Sequence, residues 1–378
     1  MRVAGIMSGT SLDGIDVAIT EIARGKIDPL AFHGLPYPKP VRERLLAVSN
    51  TTAHTTEIAR LNFLLGELYA EALIATCRRF RLRLDSIALI GLHGQTIFHD
   101  GAGADYLGRH IASTMQIGEA AVVVERTGIQ VISNFRERDI AAGGHGAPLV
   151  PVVDYLLFRH PRMARVAVNL GGIANITVLP PGAKLEEVVA FDTGPGNMAI
   201  DALVRHMSGS RQAYDRNGRI ARSGKIHEGV LRSLQRHAYF QRKSPKTAGR
   251  EQFGGEFVDR LIGMGPNMGI GMPDLIATAT ELTAWSVAYG IFAAAPGAKG
   301  EAIISGGGVH NRFLMGRLEA HLRGWKVRSS AEFGIDPDAK EAIAFASLAY
   351  RNLRRRPGNV PSATGAHHPV VLGKSTVP

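Results

Sequence analysis

Apolar residues alternate with small or polar ones over residues 2–7, where Val3, Gly5 and Met7 interleave with Arg2, Ala4 and Ile6, and again over 15–19. Between the two runs lie Ser8, Gly9, Thr10, Ser11, Leu12, Asp13 and Gly14. Alternation on both sides of a glycine-rich polar segment predicts strand, tight turn, strand. The pattern returns in the second half of the chain: a buried run over 166–170, the pair Gly171-Gly172, and a further run over 173–179, with Asn169 and Asn175 flanking the turn. The two hairpins lie about 160 residues apart, close to one domain length. Their similarity is one of topology, since the residues do not match one for one, and it suggests a duplicated α/β fold.

Helical spacing covers 41–48 and 56–80, the latter with Ile58, Leu61, Leu64, Leu65, Leu68 and Ala72 on one face. A buried strand over 86–92 runs into His93-Gly94-Gln95-Thr96, a helix is expected over 116–126, and a strand over 129–134. Residues 139–148 then break all periodicity with glycines and a proline, which makes them the candidate for the first crossing between domains. Later, a strand over 188–191 ends in Asp192-Thr193-Gly194-Pro195-Gly196-Asn197, with a helix over 198–206. Turn-rich stretches occupy 215–224 and 246–255. A long helix is expected over 273–295, and a short strand over 301–305 opens into Gly306-Gly307-Gly308 and a helix from Asn311. The helix 340–355 is read as crossing back. The division expected is 1–147 completed by 341–378, and 148–340 as the second domain.

With 378 residues, two domains are the natural division. An apolar share of 45% and a charged share of 20% are those of a soluble globular protein. The lone Cys77 excludes a disulfide framework and fits a reducing, cytoplasmic setting. Entry into a strand at Val3 argues against a secretory leader. No apolar run is expected to span a bilayer, because Thr280, Glu281 and Thr283 interrupt the nearest one, over 275–295. The net charge of +11 invites a nucleic-acid partner, but the basic residues fall in scattered short runs such as 78–83 and 351–356. No finger, helix-turn-helix or aromatic RNA-binding strand accompanies them, so neither nucleic acid nor membrane is expected as a partner.

Three glycine-rich tips thus end buried strands: 8–13, 171–172 and 306–308. None follows GxxxxGK[ST] or GxGxxG, which disfavours the P-loop and dinucleotide-binding readings. Successive N–H groups in a Gly/Ser/Thr turn form a concave anion site, although each tip also reads as a plain turn. Asp13 and Asp16 would repel a bare phosphate and suit one only with a magnesium ion between. Asp192 ends a buried strand beside a Gly-Pro-Gly turn, too far from the helix near Asn197 to cap it. His93 and His99 lack a zinc spacing, and no cysteine assists them. The combination resembles the actin/hexokinase type of ATPase, a two-domain, duplicated ribonuclease H-like fold with an interdomain cleft.

The match is closer still in MSGTSLDGID, GLHGQTIFH, SNFRERDIAAGGHGAPLVP, NLGGIANIT, FDTGPGN, ISGGGVHN and PGNVPSATGA. Together, in order and over the whole length, they resemble the anhydro-N-acetylmuramic acid kinases. Leu92 departs from the pattern, standing where that family more often has a small residue. The resemblance implies an enzyme that uses ATP, Mg2+ and water to open a 1,6-anhydro amino sugar and phosphorylate its O6 during cell-wall recycling. It implies Asp192 as general base, which accepts a proton from the attacking water. Ser8, Gly9, Thr10, Ser11, Leu12, Asp13, Gly14, Ile15 and Asp16 would face the ATP phosphates, with Asp13 or Asp16 toward magnesium. Gly171 and Gly172 would form the opposing phosphate loop, and Gly306, Gly307, Gly308 and Asn311 the adenosine side. His93, Gln95, Arg136, Asp139 and Glu341 would face the sugar, with Arg136 gripping its lactyl carboxylate through two hydrogen bonds. Two alternatives stand beside this one: a conventional sugar kinase of the same fold, and a non-catalytic ATP-regulated binding or filament protein. A homodimer is left open.

Overall fold

Each hairpin read from the sequence seeds one sheet. The computed structural model describes residues 1–244 and 246–378. The chain divides into two units, Met1–Leu157 with Ala339–Pro378, and Phe158–Asp338. The first crossing therefore follows Leu157, and the glycine-rich 139–148 segment stays inside the first unit.

In the first unit the strands are β1 (Arg2–Ser8), β2 (Gly14–Ala23), β3 (Lys26–Pro36), β4 (Leu89–Tyr106), β5 (Arg109–Ile117) and β6 (Val131–Ser133). The second unit holds β7 (Ala164–Leu170), β8 (Ile173–Leu179), β9 (Val189–Pro195), β10 (Gly300–Ser305) and β11 (Trp325–Ser329), and β12 (Lys374–Thr376) returns to the first. The first sheet runs β12-β6-β4-β1-β2-β3, with β5 paired to β4, and the second runs β11-β10-β7-β8-β9. In both, the first three strands form an antiparallel meander, a fourth (β4 or β10) adds parallel to the first and a fifth (β6 or β11) adds parallel to the fourth, β5 being an extra antiparallel partner of β4. Strand order 3-2-1-4-5 thus occurs twice. This is a duplicated, ribonuclease H-like α/β architecture.

Packing in the first unit depends on two glycines in register, Gly5 on β1 and Gly91 on β4. A Cβ on Gly5 would run into the carbonyl oxygen of Ala342, and one on Gly91 into that of Phe345. Their bare backbone is the groove in which the helix Lys340–Leu353 lies. On the second unit the helix Met272–Ala294 is long and apolar enough to cross a membrane, contrary to the sequence expectation, yet 83% of that window is buried inside the protein. It is the central core helix of its unit, packed by residues of two apolar clusters.

The sequence reading and the structure part company over 116–126. The segment expected as a helix over 116–126 is β-strand through Ile117, and the helix is Ala120–Thr127. Gly118, at φ 129°, turns the chain, and the Glu119 carboxylate caps the helix by accepting from Ala121 N. The alternation over 109–117 pairs with β4 in a long hairpin, and this cross-strand pairing overrode helical spacing. The tail from Pro357 is an ordered strap. Gly358 N donates to Val370 O, Val370 N donates to Asn359 Oδ1, and β12 pairs antiparallel with β6.

Candidate functional site

On the first unit the tip between β1 and β2 is a tight turn closed by Leu12 N donating to Gly9 O at 3.2 Å. Leu12 takes φ 57° and sinks into the core with Ile15, so these two present only backbone outward. Gly14 is required by pairing, because a Cβ there would strike the carbonyl of Leu35 on β3. Thr10, Ser11 and Asp13 remain exposed, with Ser11 Oγ donating to Asp13 Oδ1 at 2.7 Å. Ser8 is buried and spends its hydroxyl on Tyr69 Oη at 2.8 Å.

Beneath the tip Tyr37, Tyr69 and Gln95 form a polar floor. Tyr37 Oη donates to Gln95 Oε1 at 3.3 Å, and Gln95 Nε2 donates to Gly9 O at 3.0 Å. Burial pushes the Tyr37 phenol above its ordinary range, and the negative charges of Asp13 and Asp16 push it further. Both carboxylates therefore lie close enough to Tyr37 for their charge to act on it. Among the described residues no group of three or more His, Cys, Asp and Glu could hold a metal by itself. Carboxylate and hydroxyl oxygens here suit magnesium, which is usually held by one or two carboxylates, with phosphate and water completing its shell.

His93 and Arg136 form a second cluster. Arg136 donates from Nε and Nη2 to His93 Nε2, at 3.1 and 2.9 Å, and from Nη1 to Gly146 O at 2.8 Å. Nδ1 of His93 faces Gly94 O at 2.8 Å, so the ring is a neutral imidazole with its proton on Nδ1. Burial, and then the Arg136 charge, hold its pKa well below the ordinary value. Burial likewise lowers Arg136 to about 10, opposed by the carboxylates of Glu341, Glu137 and Asp139. Glu341 enters from the first turn of the helix Lys340–Leu353.

Two of the residues expected at the sugar sit otherwise. Asp139 is 0% exposed; its Oδ2 accepts from Gly146 N, and its Oδ1 accepts from Asn359 Nδ2 and Thr364 Oγ1, each at 2.8 Å. Both oxygens are consumed in tying the 139–148 loop to the C-terminal strap. Gln95, also 0% exposed, supports the phosphate-sized tip. The sequence marked both as polar residues at strand ends but could not show which way they face.

On the second unit the Gly171-Gly172 turn is pinned from outside. Asn197 N donates to Gly171 O at 2.8 Å, and Gly196 N and Met198 N donate to Gly172 O at 3.0 and 3.1 Å. Gly306, at φ 82°, and Gly308 pack on Leu170 at the end of β7, leaving Gly307 with open space beside it. Asn311 is the N-cap of the helix Arg312–His321, its Oδ1 accepting from Leu314 N at 3.0 Å.

Asp192 stands in register with Asn175, which stands in register with Asn169, so three polar side chains form one row across β9, β8 and β7. The segment after residue 245 folds over it. Ala248 N donates to Asp192 Oδ2 at 2.7 Å, Asp192 N donates to Lys246 O, and Tyr239 Oη donates to Asp192 O at 2.6 Å. Burial raises the Asp192 carboxyl to about 7; the Ala248 N–H opposes the rise and the charge of Glu251 adds to it. A carboxylate with one oxygen pinned, and a pKa near neutrality, is equipped to take a proton. Ala248 and Glu251 escaped the sequence reading, and Asn175 entered it only as a residue flanking the Gly171-Gly172 turn. Only the asparagines flanking Gly171-Gly172 gave a signal.

A family model described as anhydro-N-acetylmuramic acid kinase matches residues 1–378. A protein of that description from Caldanaerobacter subterraneus subsp. tengcongensis is 44% identical over 379 residues, covering 98% of this chain and 96% of the relative. One from Salinibacter ruber is 41% identical, covering 100% and 96%. Among solved structures, the activator of the 2-hydroxyisocaproyl-CoA dehydratase from Clostridium difficile with bound ADPNP aligns at TM-score 0.49 and 11% identity, covering 94% of this chain and 96% of that one.

Proposed function

The chain belongs to the anhydro-N-acetylmuramic acid kinase family, and from that premise we propose that it hydrolytically opens 1,6-anhydro-N-acetylmuramic acid while phosphorylating O6 at the expense of ATP. The products are N-acetylmuramic acid 6-phosphate and ADP, as peptidoglycan recycling requires. In this reading the oxygen of a water molecule bonds to the anomeric carbon and its proton passes to Asp192. The C1–O6 bond breaks, O6 bonds to the γ-phosphorus, and the bond from that phosphorus to ADP breaks. General-base assistance of this kind is worth roughly 10²–10⁴ in rate.

The observation that carries the reading is Asp192 itself, raised to about 7 with Oδ2 fixed by Ala248 N. Near neutral pH such a group is substantially ionised yet still basic enough to be protonated in the step. The second unit also supplies Gly171 and Gly172 toward the phosphates and Gly306, Gly307 and Gly308 toward the adenosine. Asn311 acts there by capping the helix that follows.

The first unit supplies the backbone of Gly9 to Asp13 and the hydroxyls of Thr10 and Ser11 toward the γ-phosphate. Asp13 and Asp16 would hold magnesium, which when bound neutralises phosphate charge. Arg136, oriented by neutral His93 and by Gly146 O, presents its remaining N–H groups to the lactyl carboxylate, with Glu341 beside it. Asp139 acts through these residues by holding their loop.

The test is to incubate the purified chain with ATP, magnesium and the anhydro sugar in oxygen-18 water. The expected product is a 6-phosphate with the label on its anomeric oxygen. A conventional kinase would leave that oxygen unlabelled at the first turnover. Release of ADP that did not depend on sugar would favour an ATP-regulated binding protein.

A further inference from the structure

The β4–β5 hairpin carries a half-buried amide that its own fold leaves half satisfied. Gln116 on β5 stands opposite Thr96 on β4. Its Nε2 donates to Thr96 Oγ1 at 3.2 Å and to Thr114 Oγ1 at 2.8 Å. Its Oε1 is buried and has no hydrogen-bond partner among the described residues. Two threonine hydroxyls thus hold the side chain in one orientation and leave its acceptor unpaired. A buried amide oxygen without a donor is costly, and native proteins seldom leave one in place without a use.

The surroundings indicate what the donor would be. At Gly94, with φ 79°, an added Cβ would come within 3.3 Å of Gln116 Cβ. Gln116 therefore lies against the turn that carries His93. Thr114 Oγ1 is 3.0 Å from His99 Nδ1. Burial lowers His99 to about 4, with the Arg136 charge the next cause, so this imidazole is neutral at physiological pH. The patch formed by Thr96, His99, Thr114 and Gln116 is therefore uncharged and adjoins the one guanidinium, Arg136, that the His93 ring orients. It suits a ligand with a neutral N–H donor next to a carboxylate arm.

We propose that Gln116 is a specificity-determining residue that accepts a hydrogen bond from the acetamido N–H of the sugar while Arg136 holds the neighbouring lactyl carboxylate. This rests on the function proposed above and assigns which part of the substrate the β4–β5 hairpin reads. A site built around a buried acceptor discriminates strongly against a ligand lacking the matching donor, because the acceptor then stays unpaired.

The experiment compares the 2-acetamido anhydro substrate with its 2-hydroxy counterpart, lactyl group retained, on the wild type, Gln116→Met and Gln116→Glu. Methionine keeps the length of the side chain and removes the acceptor, whereas glutamate keeps an acceptor. The wild type is expected to prefer the acetamido substrate in kcat/KM. Gln116→Met should lower that preference by roughly 10–100-fold, mainly through KM, and Gln116→Glu should retain most of it. An unchanged preference in Gln116→Met, or equal collapse of the preference in both variants, would overturn the assignment while leaving the kinase reading intact. A wild type that releases no ADP in response to either sugar would overturn the kinase reading and this assignment together.

Discussion

The two units lay down their strands in the same order and arm equivalent positions differently. Across the first three strands of the first unit the residues in register are Met7, Asp16 and Gly34; across those of the second they are Asn169, Asn175 and Asp192. The acid sits on the middle strand in one and on the outer strand in the other. The tips differ as well. Residues 9–13 form a turn with exposed hydroxyls at Thr10 and Ser11, whereas Gly171-Gly172 is a bare pair clamped by the helix Asn197–Ser208. The cover differs most. Asp192 lies under the 246–251 segment, which pins one oxygen and leaves the residue half-buried, while Asp13 faces solvent. On the function proposed above, one scaffold would then supply an open, acidic tip for a metal–phosphate group and a covered acid for proton transfer. The difference comes from what folds over the strand end rather than from the strand.

If that division of labour is right, the two acids should fail differently. Asp192→Asn should lower kcat by at least about 10²–10⁴-fold while leaving ATP binding nearly unchanged, as read by nucleotide titration. Asp16→Asn should instead raise the magnesium concentration needed for half-maximal rate, with activity recovered at high magnesium. Equal, magnesium-insensitive losses in both would erase the distinction.

A second contrast separates glycines that serve packing from those that serve a tip. Gly91→Ala drives a methyl into the Phe345 carbonyl of a fully packed helix. Overpacking of this kind costs typically about 1–3 kcal/mol, measurable by denaturant unfolding. Gly172→Ala meets nothing nearer than Met198 Cε at 3.5 Å and should change stability by less than about 0.5 kcal/mol. Any loss of activity in the latter would then belong to the tip.

The smallest expected effects concern pH. With Asp192 raised to about 7, kcat/KM should fall as pH drops below neutrality, because the base becomes protonated. Glu251→Gln removes a neighbouring negative charge, so the acid limb should move to lower pH. Ala248→Pro removes the N–H that favours the carboxylate, so the limb should move upward. The same shift has a stability counterpart. A carboxyl whose folded pKa lies above its unfolded value favours the fold in acid and loses that contribution as pH rises through about 7. Asp192→Asn should therefore be more stable than the wild type at neutral pH, even as activity disappears.

Much of this was legible in the chain. Alternation around the polar tips located both hairpins, their spacing suggested a duplication, and Asp192 stood out at a strand end beside Gly-Pro-Gly, its role as a base being what the family resemblance implied. The facing of individual polar residues was not legible. Asp139 and Gln95 carry the same residue-level signal as Arg136, yet tertiary contacts turn them inward as supports. The helix expected over 116–126 failed at its start because β5 had a partner strand from an earlier part of the chain, which local periodicity does not encode.

By itself, then, the order of residues determined the repeated strand–turn–strand units and the type of chemistry their ends could carry, because alternation, glycine and charge act within a few residues. Only the tertiary structure decided that Asp192 is covered and pinned, that Asp139 is spent, and that Gln116 keeps an unpaired oxygen. Burial and hydrogen-bond satisfaction depend on segments distant in the chain. Ala248 and Asp192, and Asn359 and Asp139, meet only after folding brings them together.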